Sequence, residues 1–169
     1  MMRRLLLVLL PLLAACSGAA ADAPKPALEL TGRVVDKAGL LDSATATALT
    51  ARLARLERQT GVQMVIATTP TLGGEAINDY SLRLARSWAL GSKERNDGLL
   101  LLVAPTERKV RIEVGKGLET VMKDEVCDQI IRHMMMPHFT AGDPQSAILA
   151  GTGAMIDVLE HRPARKVAA

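Results

Sequence analysis

The residues best suited to chemistry in this sequence are oxygen donors that stand beside glycines. Asn96 and Asp97 precede a glycine, Glu119 follows the stretch Gly115–Leu118, and Asp124 comes shortly after it. Amide and carboxylate oxygens without His or Cys suit a hard cation, calcium before zinc. The set Asn96, Asp97, Glu119 and Asp124 therefore predicts a weak calcium site, with Asp97 and Asp124 as its principal ligands.

These donors can meet only if the chain between them folds as a hairpin. Leu99–Ala104 is a continuous apolar run, as expected for a central strand covered on both faces. Val110–Val114 alternates strictly between apolar and charged residues, the pattern of a strand with one polar face. With the turn centred near Glu107, antiparallel pairing brings Asn96–Gly98 beside Gly115–Glu119 at one end of the sheet. We expect the glycines there to let backbone carbonyls approach a ligand.

The same residues also have a purely structural explanation. Asn, Asp and Gly are favoured in turns, and Asp124 is a natural N-cap. The spaced aspartates of an EF-hand loop are missing from this region. Spacing by itself favours turn and cap formation over a metal site, and both interpretations remain open at this point.

The remaining elements must frame the hairpin. Thr31–Leu41 is predicted to be an extended entry segment, and Val62–Thr68 a buried strand. Helical patterns, several with capping residues, indicate four helices, the third of them terminated by Pro137. These helices are expected from about residue 43 to 60, from 77 to 90, from 124 to 136 and from 144 to about 160. The order β-α-β-α-β-β-α-α indicates an α/β fold with helices on both faces of a small mixed sheet of about four strands.

Other side chains with chemical potential favour structural roles. Cys127 lies on a helical stripe and is predicted to be a buried structural thiol. His133 and His138 are not spaced as a helical zinc pair. Gly151 and Gly153, inside the last helix, predict close packing against a neighbour. The residues that share the stripe of Cys127 are Ile130, Ile131 and Met134.

Composition and charge exclude several function classes. Of the 169 residues, 49% are hydrophobic and 23% charged, which is typical of a globular protein. The net charge of +3 arises outside the folded region, because residues 17–160 carry 16 basic and 18 acidic residues. No basic face is therefore expected to bind nucleic acid. Aromatic residues make up only 2% of the chain, so platforms for stacking on bases or sugars are scarce.

The first 15 residues are typical of a signal peptide. Two arginines precede an apolar run that is too short to span a bilayer. The run ends in Leu13-Ala14-Ala15-Cys16, which resembles the lipobox of bacterial lipoproteins, so Cys16 is predicted to be the lipidated N-terminus. The alternative is an ordinary cleavage within Ala19–Ala23. Residues 16–32 would form the anchor and a flexible tether, and residues 161–169 a basic tail. Because Ser17 follows the cysteine, we expect extracytoplasmic attachment to the outer membrane, facing the periplasm.

Several motifs, taken in order, resemble the TPM domain family over about residues 33–159. The resemblance implies a domain over residues 33–160 and a three-layer α/β/α sandwich. The family's common Asp-Asn-Gly order is replaced here by Asn96-Asp97-Gly98, which leaves open which of the two side chains has the ligand role. The motifs that carry the resemblance are Val35–Leu41, Trp88–Gly91, Asn96–Ala104, Gly115–Glu119, Asp124 and Pro137–Phe139.

The resemblance implies two classes of function. The family includes thylakoid-lumen proteins linked to photosystem repair and many bacterial envelope proteins. Some members bind calcium at the acidic loop edge, and others assist membrane complexes. This implies a calcium-binding accessory module, anchored in the membrane, with an envelope protein as partner.

The alternative is a weak metal-dependent acid phosphatase that uses the same carboxylates, as described for some members. Phosphate binding usually needs Arg or Lys clamps. Apart from Lys116, the predicted cluster is acidic. The accessory module is therefore the favoured interpretation.

Overall fold

The computed structural model describes residues 28–161. Within them, four strands form one mixed sheet in the order β1-β2-β3-β4. The first three strands run parallel, and β4 runs antiparallel to β3. The strands are β1 (Val34–Asp36), β2 (Gln63–Thr68), β3 (Gly98–Ala104) and β4 (Lys109–Val114).

Helices connect and cover the strands. None of those in the described part of the chain combines the length and apolarity that a membrane span requires. The helical elements are α1 (Ser43–Thr60), α2 (Ile77–Ser87), a 3₁₀ turn (Lys116–Leu118), α3 (Asp124–Gln129), a π-helical segment (Ile130–Met135), α4 (Met136–Thr140) and α5 (Pro144–Glu160).

Helix α1 forms as its sequence predicts. The Asp42 side chain accepts a hydrogen bond from the Thr45 N–H at 2.6 Å, which satisfies one of the free amides of the first turn. Gly61 ends the helix in a left-handed conformation with φ of 74°, where a residue without a Cβ is favoured. The apolar stripe that faces the sheet is buried, and its members are Leu49, Leu53 and Leu56.

Strand β3 divides the molecule into two hydrophobic clusters. All seven of its residues are buried, and they alternate between the two faces of the sheet. Leu99 and Leu101 pack in the cluster formed with α1, α3, the π segment and α5. Leu100 and Leu102 pack in the cluster formed with α2. Helices therefore cover both faces, and the predicted three-layer α/β/α architecture is confirmed.

Helix α2 ends earlier than the sequence pattern indicates. The prediction extends to Leu90, but the last helical residue is Ser87, because Ala89 adopts a left-handed conformation with φ of 48°. The Ala89 N–H then donates to the Arg86 carbonyl and the Leu90 N–H to the Ala85 carbonyl. This is the Schellman pattern of a helix C-terminus, formed here on alanine rather than glycine.

Pro137 does not terminate the third helix, and that prediction is wrong. A π-helical segment, Ile130–Met135, follows α3, and Pro137 lies in the first turn of α4, where a missing N–H is tolerated. The extra residue of the π turn also shifts the buried position along the chain. Met135 is fully buried, whereas Met134 is exposed, so the predicted stripe from Cys127 ends at the wrong methionine.

The two glycines of α5 have different surroundings. A Cβ added to Gly151 would lie 2.5 Å from the Met135 sulfur, so the predicted close packing is confirmed there. A Cβ on Gly153 would meet only the Arg52 guanidinium at 3.8 Å, so the same prediction is wrong for Gly153.

The described chain begins inside the stretch predicted as tether. Leu28 is only 4% exposed and packs in the cluster on the α2 side of the sheet. Its carbonyl accepts a hydrogen bond from the Trp88 indole at 3.2 Å. The predicted signal peptide, Cys16, the earlier part of the tether and the tail beyond His161 lie outside the described residues.

Candidate functional site

The end of the β3–β4 hairpin brings together the two glycine-containing stretches. The two strands pair as an antiparallel hairpin, but the register differs by one residue from a turn centred on Glu107, because Leu99 lies opposite Val114 rather than Gly115. The pairing continues beyond both strands, because the Gly115 N–H donates to the Gly98 carbonyl and the Gly117 N–H to the Asn96 carbonyl, each at 2.9 Å. The predicted juxtaposition of residues 96–98 with residues 115–119 is therefore present in the fold.

The glycines allow the two backbone segments to approach each other closely. A Cβ on Gly115 would collide with the Asn96 carbonyl oxygen, and a Cβ on Gly117 would collide with that of Arg95. A Cβ on Gly98 would lie 2.6 Å from the Leu90 backbone. Glycine is required at these positions because the two turns pack on each other with no space for a side chain, and the approach of a ligand to their carbonyls stays a prediction.

Asn96 and Asp97 are adjacent in sequence but have different roles. Asn96 adopts a left-handed conformation with φ of 48°, which asparagine tolerates better than most residues. Asp97 is 3% exposed, and its carboxylate accepts hydrogen bonds from the Ser92 N–H at 2.9 Å and from the Arg95 Nε at 2.5 Å. The Asp97 carboxylate thus closes the loop that precedes β3.

The electrostatics of Asp97 match that structural role. Burial raises the pKa of its carboxyl group, but the hydrogen bonds from the Ser92 N–H and the Arg95 guanidinium outweigh burial, and the net shift is downward. Asp97 is therefore ionised and paired in the folded protein at neutral pH.

A cavity of about 370 Å³ lies beside this turn, between α2 and the C-terminal end of β4. Two of the four predicted ligands, Asn96 and Glu119, line it, and Asp97 and Asp124 do not. Two cationic side chains, Arg86 and Lys116, share the lining with them. The other lining residues are Leu82, Ala85, Ala89, Leu90, Gly98, Leu100, Glu113, Val114 and Gly115.

Glu113 connects the cavity to the polar face of β4. Its carboxylate accepts a hydrogen bond from the Ser81 hydroxyl at 2.9 Å and lies 3.4 Å from the Arg111 Nε. The alternation of Val110–Val114 predicts this polar face, but it gives no sign that α2 packs over it. Sequence reasoning therefore missed Glu113 and Arg86 as cavity residues.

Asp124 is the first residue of α3 and is exposed. The N-cap position belongs to Lys123, which forms no side-chain capping bond, so the interpretation of Asp124 as the N-cap is wrong. Its negative charge still lies in the first turn of a helix, where it interacts favourably with the free amides.

The donor set limits which cations this region could hold. Among residues 28–161, no group of three or more His, Cys, Asp or Glu side chains is arranged around a common point for a metal ion. The oxygen donors of the cavity are the Asn96 amide and the carboxylates of Glu113 and Glu119. A calcium ion there would need backbone and water oxygens to complete its six to eight ligands.

Cys127 is the buried thiol that the sequence predicts. It is 8% exposed, and its sulfhydryl lies 3.8 Å from the Met122 carbonyl. Burial, reinforced by the negative charge of Asp124, raises the pKa of the Cys127 thiol to about 11. The thiol is therefore protonated at neutral pH and is a poor nucleophile.

Comparison with known proteins gives a consistent result. The family described as the TPM domain matches residues 34–158. The UPF0603 proteins MT2410 and Rv2345, from two strains of Mycobacterium tuberculosis, are each 30% identical over 131 residues. That alignment covers 78% of this chain but only 19% of each relative, so the chain spans about a fifth of their length.

Solved structures share the fold. The N-terminal domain of a protein from P. gingivalis superposes with a TM-score of 0.73 at 34% identity, covering 80% of this chain and 88% of that one. The BA42 protein of Bizionia argentinensis gives a TM-score of 0.62 at 17% identity, covering 75% and 86% of the two chains. At that lower identity, the likeness to BA42 shows the fold alone.

Proposed function

The chain belongs to the TPM domain family. We propose that it is an extracytoplasmic accessory module that assists a membrane complex of the bacterial envelope. In this proposal the module binds a ligand in the cavity between α2 and β4. The observation that carries the proposal is the convergence of Asn96 and Glu119 on that cavity, beside a turn in which two backbones pack without space for side chains. A rigid turn of this kind can hold polar groups in fixed positions around a ligand.

We further propose weak binding of calcium at this place. The Asn96 amide and the carboxylates of Glu113 and Glu119 are hard oxygen donors. The positive charges of Arg86 and Lys116 in the same lining oppose a divalent cation, which supports low affinity.

A titration with calcium chloride tests the metal. Calcium should raise the melting temperature, because binding to the folded state alone stabilises it by about 2.7 kcal/mol at 100 times the dissociation constant. Asn96→Asp should strengthen binding by adding a charged donor, and Glu119→Gln should weaken it. Glu160→Gln, at an exposed carboxylate outside the cavity lining and distant in sequence from all four predicted ligands, is the matched control.

Asp97 and Asp124 remain predicted ligands and belong in the same series. If Asp97→Asn or Asp124→Asn abolishes the calcium response while Glu119→Gln leaves it intact, the ion is bound by the loop and α3 rather than in the cavity. A flat calorimetric titration of the wild type in millimolar calcium would leave all four residues with structural roles only.

Membrane attachment through Cys16 is the third part of the proposal. The lipobox-like sequence supports it, and the serine that follows supports outer-membrane sorting. Cys16→Ser should move the protein from the membrane fraction to the periplasmic fraction. A mature N-terminus at any residue other than Cys16 would contradict lipid anchoring. Cross-linking followed by capture from native membranes is the experiment that identifies the envelope partner.

Arg86 gives a specific reason to keep a phosphatase as the second candidate. Sequence reasoning placed only one cation, Lys116, near the acidic residues, whereas the cavity also has Arg86 in its lining. Two cations can bind a phosphoryl group, and a bound metal could polarise it.

An assay with p-nitrophenyl phosphate, with and without calcium, separates the two functions. Turnover of about 1 to 10³ per second would favour an enzyme. If the protein is a phosphatase, Arg86→Gln should reduce kcat/KM. Arg132→Gln, at an exposed arginine outside the cavity lining, should leave kcat/KM unchanged.

A further inference from the structure

Strand β4 lies at an edge of the sheet, and among the described strands it pairs only with β3. Hydrogen-bonded and non-hydrogen-bonded pairs alternate along an antiparallel ladder. Because the Gly115 N–H donates to Gly98, the bonded partners of β3 within β4 are Lys109, Arg111 and Glu113. The backbone groups of the intervening residues, Val110, Ile112 and Val114, therefore point away from β3 and are the groups that another strand would bond. Ile112 as a whole is only 3% exposed, so neighbouring side chains must move aside to admit that strand.

We propose that this edge pairs with the same edge of a second copy of the chain, antiparallel and about a two-fold axis at Ile112. In that register Ile112 lies opposite Ile112 of the second copy, and Val110 lies opposite Val114. All three are residues whose backbone groups point outward. Each of these pairs can exchange two N–H···O=C bonds, so the register uses every outward-pointing group of β4.

The charges of β4 are complementary in the same register. Arg111 lies opposite Glu113 of the second copy, and the symmetry repeats this pair. Both pairs occupy non-hydrogen-bonded positions, where facing side chains are closest. Within one chain the Arg111 Nε is 3.4 Å from the Glu113 carboxylate, and Arg111 remains 38% exposed. The Arg111 guanidinium is thus accessible to a second carboxylate.

Other registers are disfavoured by the same residues. Moving the axis to Arg111 places two arginines opposite each other, and moving it to Glu113 does the same for two glutamates. Like charges directly opposite each other destabilise a strand pair. A shift of the pairing by one residue aligns outward-pointing groups with groups already bonded to β3. Self-pairing at Ile112 therefore satisfies both the hydrogen bonds and the charges.

A backbone test uses proline at the edge. The Val110 N–H points outward, so Val110→Pro removes no bond to β3 but removes two intermolecular bonds by symmetry. In sedimentation experiments on the full chain in detergent, we expect a concentration-dependent dimer whose dissociation constant rises at least 10-fold in Val110→Pro. Val110→Ala, which keeps the N–H, is the control and should change it less than about 3-fold.

A charge test is independent of the proline. Arg111→Glu and Glu113→Arg should each weaken the dimer at least 10-fold, because each places like charges opposite each other twice. The double variant restores opposite charges at both positions and should return the dissociation constant to within about 3-fold of the wild type. Melting temperatures of all the variants show whether each one folds.

Hydrogen exchange locates the contact on the strand. Raising the protein concentration should slow exchange at the amides of Val110, Ile112 and Val114. The amides of Arg111 and Glu113, which already bond to β3, should not change. A protein that stays monomeric up to millimolar concentration, or a dimer that Val110→Pro and Arg111→Glu leave intact, would overturn the proposal. If exchange at the three amides slows only when a different protein is added, the proposal is also overturned, because the bound strand would not come from a second copy.

Discussion

At the scale of single residues, Asp97 links the chemistry of the turn to its stability. Its buried carboxylate is the acceptor for the Ser92 N–H and the counter-ion of Arg95. The Arg95 side chain is 55% exposed, so it can return to water if its partner is lost. The Ser92 N–H lies in a partly buried turn and donates its hydrogen bond to the Asp97 carboxylate, so that bond is lost with Asp97.

We expect Asp97→Ala to lower the free energy of unfolding by about 1–3 kcal/mol, because it leaves a backbone donor without its acceptor. Arg95→Gln should cost less than about 1 kcal/mol, since an exposed ion-pair partner contributes little. Urea unfolding of both variants measures the difference. Equal losses in the two variants would show that the ion pair, rather than the Ser92 hydrogen bond, holds the loop.

The lowered pKa of Asp97 gives this interaction a pH dependence. A carboxyl group whose pKa is lower in the folded than in the unfolded state stabilises the fold above the unfolded value, about 3.9. That stability is lost as the pH falls through the folded value. The difference in unfolding free energy between wild type and Asp97→Asn should be constant from pH 5 to 7 and shrink below about pH 4. A difference that grows on acidification would contradict the sign of the shift.

At the scale of elements, the sequence predicts those parts in which local signals agree with one another. Helix α1 has an N-cap, an apolar stripe and a terminal glycine, and its bounds are correct. Helix α2 and the third helix depart from their predicted ends because Ala89 takes a left-handed conformation and because a π turn inserts one residue before Pro137. Both departures depend on tertiary packing, which periodicity does not report.

The candidate site was likewise predictable from the sequence only in part. The two strand patterns and the turn near Glu107 predict the hairpin to within one residue, so the meeting of Asn96 with Glu119 at one end of the sheet is predictable. The orientation of Asp97 toward Ser92 and Arg95 depends on the turn conformation, which residue types do not specify. The approach of Arg86 from α2 depends on how that helix lies over β4.

The two glycines of α5 provide a matched test of packing against helix propensity. Gly153→Ala should stabilise the protein by about 0.8–1.0 kcal/mol, because its Cβ would make only an ordinary contact with the Arg52 guanidinium and alanine favours the helix. Gly151→Ala should destabilise it by about 1 kcal/mol net, because overpacking against buried Met135 costs about 1–3 kcal/mol. Thermal unfolding of both variants checks the sign. Stabilisation by both would mean that the Met135 side chain relaxes without cost.

At the scale of the whole molecule, the sheet separates two hydrophobic clusters, one on each face, that have no buried residue in common. Trp88 belongs to the cluster with α2, and Cys127 belongs to the cluster with α1, α3 and α5. Trp88 is the single tryptophan of the chain, and Cys127 is buried with its thiol protonated. Each cluster therefore contains one residue that reports on its own side of the sheet.

We expect the two clusters to unfold together, because β2 and β3 contribute alternate residues to both. Trp88 fluorescence and the alkylation of Cys127 by iodoacetamide, measured against urea in Cys16→Ser so that Cys127 is the only thiol, should give the same midpoint. A lower midpoint for Trp88 alone would show that the α2 layer separates first.

The uninterrupted apolar strand β3 also has a consequence for production of the protein. Gly98–Ala104 contains no charge and no proline, so an unfolded or partly synthesised chain exposes a seven-residue segment prone to intermolecular β-aggregation. The flanks oppose this: Arg95 and Asp97 precede the segment, and Pro105 and Glu107 follow it. Such gatekeeper residues limit the growth of aggregates without entering the core. Substitutions at these four positions are therefore expected to reduce the soluble yield by more than the change in unfolding free energy alone would predict.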